Sequence, residues 1–119
     1  MTMPIAEKVV VACSGAADVG AIADLAARRL NGEGTAKMAC LAGIGARHGG
    51  NMKTLTEAKT VLAMDGCTHA CASKILHDAG FENFSRLCLT ELGLNKGQAC
   101  ANQDNIARAT TKAAEMLAK

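Results

Sequence analysis

The chain contains no tryptophan and no tyrosine, and its only phenylalanines are Phe81 and Phe84. A function built on stacking bases or sugars against aromatic faces therefore finds no support here. Charge of one sign is also lacking. Thirteen basic residues stand against 11 acidic ones, for a net charge of +2, and the basic residues do not cluster. That gives no electrostatic case for nucleic acid or for an anionic membrane. Long apolar runs are absent: the first, Val9-Val10-Val11-Ala12, is far too short for a signal peptide or a membrane span. The expected address is the cytoplasm. No internal repeat, linker or low-complexity segment breaks the chain, so residues 1–119 are expected to form one domain.

Half of the residues are hydrophobic, enough for a folded core. After a leader without periodic signal (Met1 to Glu7), Lys8 to Cys13 is a short continuous apolar run, the pattern of a central parallel strand covered on both faces. A small-residue loop and a helix through Ile22, Leu25, Ala26 and Leu30 follow, ending at Asn31-Gly32-Glu33-Gly34. Thr35 to Leu41 reads as a second strand, Gly43 to Gly50 as a glycine-rich loop, and Asn51 to Lys59 as a short helix. Thr60 to Met64 is a third strand, Cys71 to Gly80 a helix closed by a glycine, and Phe84 to Leu89 a fourth strand. Glu91 to Ala99 is loop, and Asn102 to Lys119 is a helix with Ile106, Ala109, Ala113 and Leu117 on one stripe. Strands alternating with helices imply an α/β, Rossmann-like three-layer sandwich: a parallel sheet of about four strands, order 2-1-3-4, with helices on both faces.

Six cysteines remain to be explained. In a reducing compartment they do not form a disulfide framework, and all six are too many to be only small buried hydrophobes. The chain is organised around Met64-Asp65-Gly66-Cys67-Thr68-His69-Ala70-Cys71, a strand-to-helix corner. On this reading Gly66 permits a sharp turn, Cys67 falls at the helix start and Cys71 four residues on, so both sulfurs project from one face. The free amides and positive dipole end of a helix favour thiolate there. Ligands in parallel sheets sit beyond the carboxyl ends of the strands. Cys13 ends the first strand, Cys40 the second, and Cys67 follows the third. With neighbouring strands about 4.8 Å apart, those side chains can converge, and Cys71 adds a fourth sulfur.

Four thiolates suit tetrahedral zinc, with Zn–S of about 2.3 Å, or an iron–sulfur cluster. Phosphoryl transfer is disfavoured, because the arginine that holds phosphate six residues after a catalytic cysteine is Val19 after Cys13 and Ser73 after Cys67. The Gly43 to Gly50 loop lacks the Gly-Lys-Ser/Thr ending of a phosphate-binding loop. A thiol enzyme stays open, with Cys67 attacking and Cys71 resolving. His77, late in its helix, interacts with the dipole. His69, two residues from each cysteine, is expected to point away from them, and His48 can reach the site from the loop after Cys40. Cys88 reads as strand core. Cys100 is either a buried small residue or an outlying thiol. Asp65 accepts loop amides or stands behind a metal ligand.

Asp65-Gly66-Cys67 with Cys71, Cys13-Ser14-Gly15, Cys40-Leu41-Ala42-Gly43-Ile44-Gly45 and Leu89-Thr90-Glu91-Leu92-Gly93 together resemble the DGC domain family. The likeness runs from about Val9 to Gly93, and Thr68 stands where relatives often carry proline. The resemblance implies a small cytoplasmic protein holding zinc through Cys13, Cys40, Cys67 and Cys71. The resemblance adds a ligand set and no reaction; the role expected of such a site is metal binding, sensing or delivery rather than catalysis.

Overall fold

Two strands buried on both faces run through the middle of the molecule, whose computed structural model describes residues 7–118. They are β1 (Lys8–Ala12) and β3 (Thr60–Asp65), paired in parallel with Val9 beside Val61 and Ala12 beside Met64. Alternate residues leave for opposite layers. Val10, Ala12, Leu62 and Met64 pack against α1 (Asp18–Gly32) and, through Ala109, Ala113 and Leu117, against α5 (Gln103–Leu117). Val9, Val11, Val61 and Ala63 pack against α2 (Leu41–Gly45), α3 (Gly49–Glu57) and α4 (Cys71–Asp78). The edges are β2 (Lys37–Met38) beside β1 and β4 (Ser85–Cys88) beside β3. The sheet is all parallel in the order β2-β1-β3-β4, as the alternation of patterns predicts. No helix among the described residues is long and apolar enough to cross a membrane. The leader from Met1 to Ala6 and the terminal Lys119 lie outside the described residues.

Two expectations need correction. The second strand is two residues long, not the seven from Thr35 to Leu41. Its first residues are taken by the end of α1, where Leu30 O accepts the amides of Thr35 and Ala36. Its last are taken by α2, which Cys40 caps. The stretch from Gly43 to Gly50 is not an open loop either, since it holds α2 and the start of α3. Gly43 serves packing there, since a Cβ on it would lie 2.3 Å from Asn51 Nδ2. The glycine closing α4 is as expected, with Gly80 at φ 94° and the Phe81 amide bonded back to Leu76 O at 2.9 Å.

Asp18 opens α1 and ties down the loop ahead of α5. Its carboxylate accepts the N–H of Gly97 at 2.9 Å, of Val19 at 2.8 Å and of Ala99 at 3.2 Å. Led by the Gly97 bond, these amides hold its acid constant below the usual carboxylate range. A lowered folded value means stabilisation that is present above the unfolded value of about 3.9 and lost as pH falls through the folded one. Asp18→Asn should therefore lower Tm at pH 7, and its difference from the parent should shrink as pH falls below the unfolded value of about 3.9, in melts across the acid range.

Candidate metal centre at the carboxyl edge

Cys13 follows β1 without a break, and its N–H still bonds to Met64 O at 3.1 Å. Its half-buried Sγ accepts the Gly66 N–H at 3.2 Å. Burial pushes the Cys13 thiol up, the Gly66 amide opposes this, and the negative ends of Asp65, Cys67 and Cys71 push in the same direction as burial. Cys13 thus stands within electrostatic reach of both motif cysteines. Gly66 has to be glycine here. A Cβ would lie 2.8 Å from Gly20 N and Val19 C, in the backbone of the first turn of α1.

The corner after β3 differs from the sequence expectation. Cys67 is not the start of the helix; it opens a turn closed by the Ala70 N–H on Cys67 O at 3.2 Å, and α4 begins at Cys71. Ala70 takes a left-handed conformation, φ 55°, which costs a non-glycine residue on the order of 1–2 kcal/mol. What holds the corner is Asp65. Fully buried, its carboxylate accepts the amides of Ala72 (2.9 Å) and Ser73 (3.4 Å), the Ser73 hydroxyl (2.6 Å) and Arg86 Nε (3.0 Å). It fills the N-cap role for α4 from seven residues upstream.

Because the helical phase starts only at Cys71, His69 is not turned away from the cysteines. Cys13, Cys67, Cys71 and His69 line one cavity of about 190 Å³, with Lys96 from the loop that Asp18 anchors. Spacing alone marks neither His69 nor Lys96, and for Lys96 the sequence carries no signal. Cys40 lies elsewhere. It faces a broader cleft of about 860 Å³ that Cys13 also lines, walled by the Asp24–Arg28 pair. Its Sγ accepts the Gly43 N–H at 3.4 Å, and its N–H bonds to Asn51 Oδ1 at 3.0 Å. His48 sits beside it, with Nδ1 3.2 Å from Asn51 Nδ2, and not in the cysteine cavity. Cys88 is buried on β4, its Sγ 3.1 Å from Thr90 Oγ1, and Cys100 is exposed ahead of α5. All six cysteines are free, and among the described residues no three His, Cys, Asp or Glu side chains are closed into a metal cage.

The sequence model of the DGC domain matches residues 9–118. The chain belongs to the DGC domain family. This DGC domain is similar to the Anaerobic and virulence modulator AnvM of Pseudomonas aeruginosa, at 34% identity over 97 residues, covering 80% of this chain and 74% of that protein. No solved structure matches it.

Two side chains and one glycine build the corner of this DGC domain, and substitution tests each. Asp65→Ala strands the first amides of α4 and should cost about 2–4 kcal/mol in denaturant unfolding. Arg86→Ala should cost less, about 1 kcal/mol, because the Arg86 side chain is 44% exposed and water can replace it. Gly66→Ala must displace backbone of α1 and should destabilise by about 1–3 kcal/mol.

Proposed function

We propose that this DGC domain binds zinc through cysteine thiolates at the carboxyl edge of its sheet, and that its role is metal binding, sensing or delivery rather than catalysis. The observation that carries the reading is that one cavity gathers Cys13 from the end of β1, Cys67 from the turn after β3 and Cys71 from the start of α4. Three separate segments converge, and soft sulfur donors are the ones zinc prefers. The residues that would hold the metal are these three, with Cys40 the further cysteine of the family pattern. Bound zinc would supply a fixed positive charge that keeps the thiols ionised and ties strand ends to the helix start.

The side chains do the rest. Cys13 is a thiol whose burial resists ionisation, so binding must release its proton and weakens as pH falls. The first turn of α1 packs on Gly66, and Asp65 fixes α4, so the cysteines are presented from braced backbone.

Metal analysis of protein purified without oxygen tests the reading. The expected result is about one zinc per chain and a colourless solution, with very weak absorption near 280 nm because tryptophan and tyrosine are absent. Cys71→Ser should lower both zinc occupancy and Tm, and a chelator should expose the cavity thiols together. A brown preparation with acid-labile sulfide would replace zinc by an iron–sulfur cluster. Metal-free protein that stays folded in chelator and shows one fast thiol, Cys67, would replace metal binding by thiol–disulfide chemistry.

A further inference from the structure

We propose that the broad cleft at the carboxyl ends of β1 and β2 binds a free aliphatic α-amino acid, whose carboxylate is held by Arg28 and whose ammonium is held by Asp24. The proposal is independent of the metal reading and gives no part to Cys13 and Cys40, which also line the cleft. At about 860 Å³ the cleft has the size of a small-molecule site, and it lies where parallel sheets bind their ligands. Small residues make the room. Its floor includes Ala12, the last residue of β1, and Ala39, the first after β2.

One wall is a stripe of α1. Asp24, Arg28 and Asn31 recur at helical spacing, and all three border the cleft. Asn31 fixes the stripe to the sheet, since its Oδ1 accepts the Met38 N–H at 2.8 Å. Arg28 Nε donates to Asp24 Oδ2 at 2.8 Å, which orients the guanidinium. That bond uses one edge of each group. Among the described residues, Arg28 Nη1 and Nη2 and Asp24 Oδ1 have no hydrogen-bond partner. What remains is a planar pair of donors suited to a carboxylate, beside an acceptor oxygen suited to an ammonium. The fold does not need the pair at this place, because an exposed ion pair of this spacing contributes little to stability.

Charge and the remaining lining narrow the ligand class. The pair carries no net charge, so a simple anion drawn to Arg28 is repelled by Asp24, and a simple cation meets the reverse. A zwitterion with both charges on one carbon satisfies the two ends together, and a free α-amino acid is such a group. The other elements contribute apolar side chains to the cleft: Met38 from β2, Leu41 from α2 and Ile75 from α4, all partly exposed. An aliphatic side chain laid on these three removes apolar surface from water on both partners. A charged side chain finds no counterpart there. The cleft is larger than one amino acid, so the head group sets the specificity and side chains of different length are tolerated.

Nitrogen–proton correlation NMR of the isotope-labelled full chain, titrated with L-leucine under reducing conditions, reads the site. Leucine at millimolar concentration should move the amide signals of Gly15, Ala39 and Leu41, and the shifts should saturate. Capping either charge, in N-acetyl-L-leucine or L-leucinamide, should weaken binding about tenfold or more, and so should replacing leucine by L-aspartate. Two variants cross these ligands. Asp24→Asn should bind leucine and N-acetylleucine equally, and Arg28→Gln should bind leucine and leucinamide equally. Both should keep the parent's circular dichroism spectrum, since the Arg28 side chain is 67% exposed and that of Asp24 27%. Absent or unsaturable shifts with leucine, or shifts confined to signals outside the cleft, overturn the proposal. Binding of N-acetylleucine or acetate as tight as that of leucine replaces it by an anion site at Arg28 alone. Variants that keep the parent's discrimination overturn the roles of Asp24 and Arg28.

Discussion

The buried carboxylate of Asp65 is the constraint on which the rest of this molecule depends. It sits at the end of a central strand, with no exposed surface, and receives two amides of α4, a hydroxyl and a guanidinium. Burying a carboxylate is costly unless nearly every lone pair is occupied, and here the four donors come from two different elements. Those bonds fix where α4 begins, and hence where Cys71 stands. They also let the intervening residues, Gly66 to Ala70, follow a tight path with one left-handed residue, because the helix does not need its cap from that segment. The adjacent Gly66 then admits the backbone of α1 to van der Waals distance. One side chain and one missing side chain, next to each other in sequence, position all three elements around the cysteine cavity.

The loop ahead of α5 is brought to the same cavity by the same kind of interaction. Asp18, on the first turn of α1, accepts amides from Gly97 and Ala99 and so holds Lys96 in the wall. An aspartate at each of two helix starts thus does more than cap. Asp65 reaches forward along the chain to its own helix, while Asp18 reaches across to a distant loop and sets the charge at the site. Both bonds run to backbone amides, whose direction is fixed by the chain, so they orient segments more firmly than an ion pair between two long side chains would.

Much of this is legible in the residues. The runs Val9-Val10-Val11-Ala12 and Val61-Leu62-Ala63-Met64 are apolar at every position, as strands of a sheet covered on both faces are, and their alternation with helical segments implies the parallel topology that the order 2-1-3-4 then shares. Cys13, at the end of such a run, has to lie at the carboxyl edge. The shortening of the second strand is hidden because Thr35 to Leu41 is equally good strand sequence; the competing bonds come from Leu30 O and the cap of α2, both tertiary facts. Local pattern also cannot show that Asp65 takes over the cap of α4. A helical phase counted from Cys67 therefore puts His69 on the wrong side, and the displacement of the helix start to Cys71 reverses that placement. Lys96 reaches the cavity through a contact with Asp18, many residues away, and no local pattern marks it.

The division of the cysteines follows from topology as well as from contacts. The chain leaves β1 for β2 on one side and returns to β3 on the other, so the crevice where strand order reverses lies between the ends of β1 and β3. Helices crossing on opposite faces leave that crevice open, and Cys13, Gly66 and Cys67 border it. Cys40 stands two residues after β2, on the far side of β1, where α2 follows immediately and its first turn takes the sulfur as a cap. A side chain at the end of β2 must pass over Cys13 to enter the crevice, whereas the turn after β3 already lies along it. The cleft that Cys40 does face is more than four times larger, opens beside the Asp24–Arg28 pair and is lined by Cys13 as well. The parallel sheet thereby sets two spaces on either side of one strand end, a tight one lined by Cys67 and Cys71 and an open one lined by Cys40, and Cys13 borders both.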